Sequence, residues 1–360
     1  MLPAGNGDSI LIEYGRKNNT KKILIDAGPS TAFDELIKRF RVLAEQNAPL
    51  ELFIVTHVDC DHIDGAITLL KPDQKKLKIK QVWFNSHKHL SDELGAPEGD
   101  ILSTLIGEKK VPWNTAFDGK AVALVNSEKL REITLDGGLR ITLLSPTRTE
   151  LEKLKPDWEK ACKDAHVLPG SEVDALKRLK EREKKYATPP DLLGEDTPNI
   201  AQLLKKRYSA RITPANLSSI AFLAEYGKGD YKKSCLFCGD ASPVVISSSL
   251  STLLKERKIT KLKIDALKVS HHGSRENTSP KMQKMLECKR FLISTDGKVF
   301  HHPHQEAIAR IIELNGPDTE LIFNYKSPQN EIWDNEYLRT EHHFKMKFPE
   351  NNGQAITVLL

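Results

Sequence analysis

Five apolar segments of this chain run straight into aspartate or histidine. Ile23–Ile25 leads to Asp26 in "IDAG", and Glu51–Thr56 leads to His57, Asp59, Asp61 and His62 in "THVDCDH". The strand-like run at Cys235 leads to Asp240 in "CGDAS", and Ile264–Ser270 leads to His271 and His272 in "VSHHGS". Phe291–Thr295 leads to "DGKVFHHPH", which carries His301, His302 and His304. Taken singly, Asp26 and Asp240 read as turn formers and His304 as a helix-start residue. Taken together, they describe a fold whose strand ends meet at one edge and aim polar side chains from a rigid base.

The remaining pattern agrees with such a fold. "SILIEY" and "KKILID" read as short strands joined by an Asn-rich polar turn, and Thr31–Gln46 has helical spacing with Phe33, Leu36, Ile37 and Phe40 on one face. "DGAITLLK" reads as a short helix, "QVWF" and "LRITLLS" as further strands. The strand rhythm returns at "SSIAFLAEY", "KSCLFCG", "IDALKVS", "RFLIST", "ELIFNY" and "AITVLL", with helices expected at Pro243–Arg257, Pro280–Glu287 and His304–Asn315. Two sheets packed face to face with helices outside is the economical arrangement. A single α/β domain over 1–360 is therefore expected.

The rhythm breaks between Thr149 and Tyr208. Lys, Glu and Arg dominate there, and Pro156, Pro169 and Pro189–Pro190 are expected to break the helices. Between 151 and 185, ten Lys or Arg face eight Asp or Glu. This near balance predicts a solvated helical insertion, 149–208, which could also serve as a surface for a protein partner. "LLKKRYSAR" (Leu203–Arg211) is more basic and could reach a phosphate, although plain surface charge is the simpler reading.

Composition excludes several classes. No apolar run approaches the length of a membrane span, and the N-terminal stretch lacks a secretory pattern, which points to a cytoplasmic protein without membrane contact. Five scattered cysteines form no disulfide framework. Cys235 and Cys238 read as core-strand residues rather than as a redox or zinc pair. A net charge of +5 permits phosphate partners without requiring them.

The chemistry is concentrated in "THVDCDH". Alternation along an extended segment would bring His57, Asp59 and Asp61 to one side before a turn swings His62 round. Imidazole with carboxylate suits zinc, manganese or iron, and aspartate at position 59 adds a hard oxygen donor.

These blocks resemble the metallo-β-lactamase-fold hydrolases, specifically the hydrolase domain of the ComEC competence-protein family and its stand-alone soluble relatives. "AGNGDSILIEYG" is similar to that family's opening, "THVDCDHIDGA" resembles its HxDxDHxxGG signature with Ala66 at the last glycine, and "LFCGDAS", "LKVSHHGS" and "ISTDGKVFHHPH" follow in the same order. The likeness covers most of the chain apart from Asn85–Asp136 and the insertion. It implies an αββα sandwich with two divalent ions, zinc or manganese, between the sheets. It assigns His57 and Asp59 to one ion, Asp61, His62 and His271 to the other, Asp240 to both, and Asp26 to orienting a ligand. A histidine common in the fold near Ser218 is replaced here by Asn216, Ser218 and Ser219, which leaves the role of Asn216 and Ser219 open. His302 could complete a metal shell or contact substrate; His272 or His302 could act as an acid. Lys268 and Ser274 are phosphate-compatible, though Lys268 reads more simply as a surface lysine.

Two cations close together can share a hydroxide and clamp a phosphoryl oxygen. The leading expectation is a phosphodiesterase or nuclease acting on nucleic acid or a nucleotide. An acyl hydrolase for a lactone, thioester or β-lactam keeps the same site. A metal-stabilised sensor or effector subunit of a defence-type system is the non-catalytic alternative.

Overall fold

The structure is a computed structural model that describes residues 1–16, 19–46, 48–71, 77–89, 97–125, 129–181 and 197–360. The expected Asn-rich turn falls partly, and the expected break at Pro189–Pro190 wholly, outside the described residues.

Among the described residues the strands build two mixed sheets. The first has the order β1 (Ile10–Arg16), β2 (Asn19–Ile25), β3 (Leu50–Ile54), β4 (Val82–Trp83). β1 and β2 are antiparallel, and β3 and β4 continue in parallel. The second is built from β5 (Glu132–Thr134), β6 (Arg140–Ser145), β7 (Ala221–Tyr226), β8 (Lys233–Phe237), β10 (Ala266–Lys268), β12 (Arg290–Ile293), β13 (Thr319–Phe323) and β14 (Phe344–Lys347). Its order is β14-β13-β12-β10-β8-β7-β6-β5, parallel from β14 to β8 and antiparallel from β8 to β5. A two-stranded ribbon pairs β9 (Leu262–Lys263) with β11 (Leu286–Glu287).

Side-chain alternation assigns the two faces of the first sheet. Ile23, Ile25, Leu52 and Ile54 join a core shared with Leu143, Phe222, Leu236, Leu267 and Phe291 of the second sheet. The intervening Leu24, Phe53 and Val55 face outward, under α1 (Phe33–Glu45), α2 (Cys60–Leu69) and α3 (Pro97–Glu108). A strand that buries both faces reads as an unbroken apolar run, and "ELFIVT" does so because it lies between two cores. The expected sandwich with outer helices is the observed fold.

Three local expectations are corrected. α4 (Arg148–Asp164) runs through Pro156 without ending. Leu151, Leu154, Trp158 and Cys162 bury one face of it in the second core, and that packing outweighs the cost of a proline inside a helix. "AITVLL" forms no strand: Ile356 only exchanges backbone hydrogen bonds with Met1, and the last strand is β14 instead. α2 begins at Cys60, so the extended reading of "THVDCDH" holds only to Asp59, and Asp61 and His62 sit on the first helical turn.

The charged stretch supplies α4, α5 (Glu172–Glu181) and α6 (Ile200–Lys205), with α7 (Pro214–Leu217) following. α5 packs on α3, α4 touches α3 and α7, and α6 lies against α10 (Gln305–Asn315). α8 (Pro243–Arg257) and α9 (Pro280–Lys284) complete the cover of the second sheet. Cys235 and Cys238 are buried in the core, in keeping with the core-strand reading. No described helix is long and apolar enough to cross a membrane.

Candidate metal centre

The strand ends do meet. Asp26 follows β2, His57 and Asp59 follow β3, Asp240 follows β8, and His271 and His272 follow β10. Two close approaches hold the loops together. Gly7 lies so near the Asp61 carbonyl, and Gly65 so near the Ala27 carbonyl, that a Cβ at either would overlap it. Only glycine lets these backbones touch. Asp26, His271 and His272 all have positive φ (54°, 48° and 55°), a conformation that non-glycine residues rarely adopt and that clusters at functional sites.

Four imidazole Nε2 atoms converge on Asp240. His62 Nε2 lies 3.5 Å from Asp240 Oδ1. Nε2 of His57, His271 and His272 lie 3.8, 3.6 and 3.8 Å from Oδ2. Asp61 Oδ2 is 3.4 Å from His272 Nε2 and 3.9 Å from His62 Nε2. Asp59 Oδ2 is 3.5 Å from His57 Nε2. The ligand atoms of His57, His62 and Asp240, and those of Asp61, His62 and His272, each fall within 4.8 Å of one another.

The opposite ring nitrogens decide what these Nε2 atoms can do. His62 Nδ1 donates to Asp26 Oδ2 (2.8 Å), His272 Nδ1 to the Ser294 carbonyl (2.7 Å), and His271 Nδ1 to Asn277 Oδ1 (3.0 Å). His57 Nδ1 meets Thr56 Oγ1 and Ser219 Oγ, both at 3.0 Å. The Thr56 hydroxyl already donates to Asp26 Oδ2 (2.8 Å), so toward His57 it can only accept. In His62, His271 and His272 Nδ1 therefore carries a hydrogen, which leaves Nε2 as the nitrogen that can face a metal once it gives up any proton it holds. His57 Nε2 and Asp240 Oδ1 are buried without a hydrogen-bond partner. Such atoms are costly unless a ligand meets them. The residues present thus fit a divalent cation.

The electrostatics agree. Burial would raise Asp240, but His271, His62 and His272 hold it well below the usual carboxylate range. Burial would lower His272, but Asp240 and Asp8 hold it up at about 10, and Asp240, Asp61 and Asp26 likewise keep His62 well above the usual imidazole value. Proton and metal compete for the same lone pairs, and the carboxylates favour either positive charge.

The other expected residues divide. His272, rather than His271, supplies the nitrogen beside Asp61 and His62; His271 meets Asp240 only at the oxygen that His57 also approaches. Asp26 links Thr56 N–H (2.7 Å) to His62. Ser219 braces His57 and accepts the Asp240 N–H (3.2 Å), and the Asn216 amide lies 3.3 Å from His271 Nδ1. Of the positions that lack a histidine, Ser219 thus steadies His57, and Asn216 borders His271. His302 is buried 5.2 Å, centroid to centroid, from the His271 ring, with Nδ1 unpartnered. Burial, then His271, His272 and His304, holds it neutral, which suits a lone-pair donor better than an acid.

Two expectations fail. Lys268 is neither on the surface nor open to a phosphate: it is buried, and its Nζ donates to Asp8 Oδ2 (2.7 Å) and the Val269 carbonyl (3.1 Å). Ser274 closes a turn, its N–H donating to the His271 carbonyl and its Oγ accepting from Glu276 N–H. Two residues were missed. Asp8 Oδ1 lies 3.5 Å from His272 Nδ1, and Asn277 joins His271 to the Asp240 carbonyl (3.0 Å). Asp8 stands in the "GNGDS" block; no sequence signal marks Asn277.

A family model, the metallo-beta-lactamase superfamily, matches residues 2–144. The match covers Asp8, Asp26 and His57–His62 and ends within β6, short of Asp240 and the paired histidines. It points to a metal-dependent hydrolase, and the His/Asp cluster can hold the metal. No curated protein matches the chain.

Proposed function

We propose that the chain is a phosphodiesterase that works with two divalent ions, zinc or manganese. The observation that carries this reading is the convergence of four histidine Nε2 atoms on a shared Asp240, with Asp59 on one flank and Asp61 on the other. His57, Asp59, His271 and Asp240 would hold one ion; Asp61, His62, His272 and Asp240 the other. Bound there, the ions supply Lewis-acid polarisation of a phosphoryl oxygen and activation of water. A donor set rich in carboxylate favours hard oxygen chemistry over a purely zinc-type histidine set.

The chain's own residues set the stage. Asp26, Thr56, Ser219, Ser294 and Asn277 fix ring tautomers and orientations. The Asp8–Lys268 pair, buried beside His272, holds its loop against the opening segment. His302 stands at the rim of the cluster with an open nitrogen for substrate or metal. The likeness to ComEC-type hydrolase domains supports phosphate over acyl substrates.

The test is turnover of bis(p-nitrophenyl) phosphate and of p-nitrophenyl esters with Mn, Zn or Mg added to chelator-treated protein. Metal-dependent diester hydrolysis is expected. Ester hydrolysis alone would favour an acyl substrate. Silence on both, with metal bound, would favour a sensor or effector role.

A further inference from the structure

We infer that the segment from Lys206 to Thr213 forms a basic rim that binds the phosphates of a nucleic-acid strand beside the candidate metal centre; this deepens the phosphodiesterase reading and rests on it. Between Thr197 and Ala224 the chain has no acidic residue but four cations, Lys205, Lys206, Arg207 and Arg211.

The segment is fastened to the loops that carry the histidines. Lys206 Nζ donates to Glu306 Oε1 (2.8 Å), in the first turn after His304. The Tyr208 hydroxyl donates to the Glu276 carbonyl (2.9 Å), and its ring lies under the Arg310 guanidinium. Arg310 in turn donates to the Arg275 carbonyl (2.7 Å), and Arg275 N–H donates to His304 Nδ1 (3.1 Å). At the far end Thr213 caps α7, whose Asn216 touches His271. An extended chain covers at most about 3.6 Å per residue, which keeps Arg211 within about 18 Å of Asn216.

Three arginines are left facing solvent on this rim. Arg207 and Arg211 are exposed and form no ion pair with any described residue. Arg275 is half exposed and only 3.8 Å from Glu306. Exposed cations elsewhere are often neutralised by neighbours, as Lys326 is by Glu331 and Arg339 by Asp334. Two uncompensated guanidinium groups, Arg207 and Arg211, on a segment tied down on both sides favour a polyanion. A cyclic nucleotide or small diester offers one phosphate, which the cluster itself would occupy, and leaves Arg207 and Arg211 without a partner. A strand carries a charge about every 3.4 Å along its axis and can meet both sites at once.

The experiment is equilibrium binding of a fluorescein-labelled 20-nucleotide single-stranded DNA to the full chain in EDTA, read by anisotropy across salt. The Arg207→Ala/Arg211→Ala double variant should bind at least about tenfold more weakly, with the slope of log K against log salt reduced by about 1.4, two contacts at about 0.7 each. Arg207→Gln/Arg211→Gln, which keeps two polar side chains, should behave alike, and Lys263→Ala/Lys345→Ala should match wild type. Absence of wild-type binding, or an unchanged slope in either arginine double variant, overturns the inference. Hydrolysis of bis(p-nitrophenyl) phosphate is scored separately. Small-diester cleavage without strand binding sinks the rim alone. Strand binding without any hydrolysis sinks the phosphodiesterase reading and leaves the rim.

Discussion

Glu225 and Asp240 are both buried carboxylates, one in β7 and one just past β8, yet they are satisfied in opposite ways. Glu225 accepts from Nη1 and Nη2 of Arg257 (2.8 and 2.6 Å), with Lys232 at 3.1 Å and Arg140 at 3.5 Å. Burial would push its pKa up, but these cations hold it below the usual value. Asp240 is surrounded by imidazoles too distant for good hydrogen bonds, the nearest at 3.5 Å, and its Oδ1 has none. A charge that serves the fold is paired in full. A charge kept for a ligand is left with room for one.

The largest expected effect falls on the unsatisfied carboxylate. Asp240→Asn should lower metal-dependent diester turnover roughly 10³-fold or more, the upper end of what losing one charge-stabilising group costs. In EDTA the loss of stability should be smaller than for Glu225→Ala, because Asp240 faces its imidazoles only at 3.5 Å or more and its Oδ1 has no hydrogen bond; an equal or larger loss would place Asp240 with Glu225 as a structural charge. Glu225→Ala should do the reverse. It should cost about 2–4 kcal/mol in urea unfolding, somewhat under a fully buried pair because Arg257 keeps some exposure, with turnover per folded molecule retained. Ser219→Ala removes a brace from His57 and should weaken metal affinity about 10- to 100-fold, read by competition with a chromogenic chelator. Unchanged affinity would make Thr56 sufficient to fix that ring.

A third buried carboxylate sharpens the contrast. Asp100 has no cation against it among the described residues; burial raises its pKa from 3.8 to about 7, opposed by Gly170 N–H and the Cys162 thiol. The folded state then binds the proton more tightly than the unfolded chain. Wild type should lose stability as pH rises from about 4 to about 7, and the loss should persist above. Asp100→Asn has no such dependence, so its advantage over wild type should grow between pH 5 and pH 8 by about 1–3 kcal/mol. A constant difference would contradict this.

Much of the centre was legible because strand ends announce themselves. Asp26, His57, Asp240 and the paired histidines each follow an apolar run, and alternation along β2 and β3 assigned the two cores. What stayed hidden depends on contacts across the chain. Asp8 reaches Lys268 over 260 positions, and that partner carries a lysine into the core where composition alone would leave it outside. Asn277 and Ser219 become meaningful only once His271 and His57 are placed. The exchange of His271 for His272 beside Asp61 turns on two left-handed residues in succession, which no periodicity encodes. Pro156 stands inside α4 because one buried helix face outweighs a local penalty that the sequence alone puts first.

The most direct test of the central claim is calorimetric titration of chelator-treated protein with Mn²⁺ and with Zn²⁺, wild type beside Asp240→Asn. The account predicts two ions per chain for wild type, with protons released from the imidazoles on binding, and loss of at least one ion in the variant. Wild-type protein that takes up neither metal would contradict it.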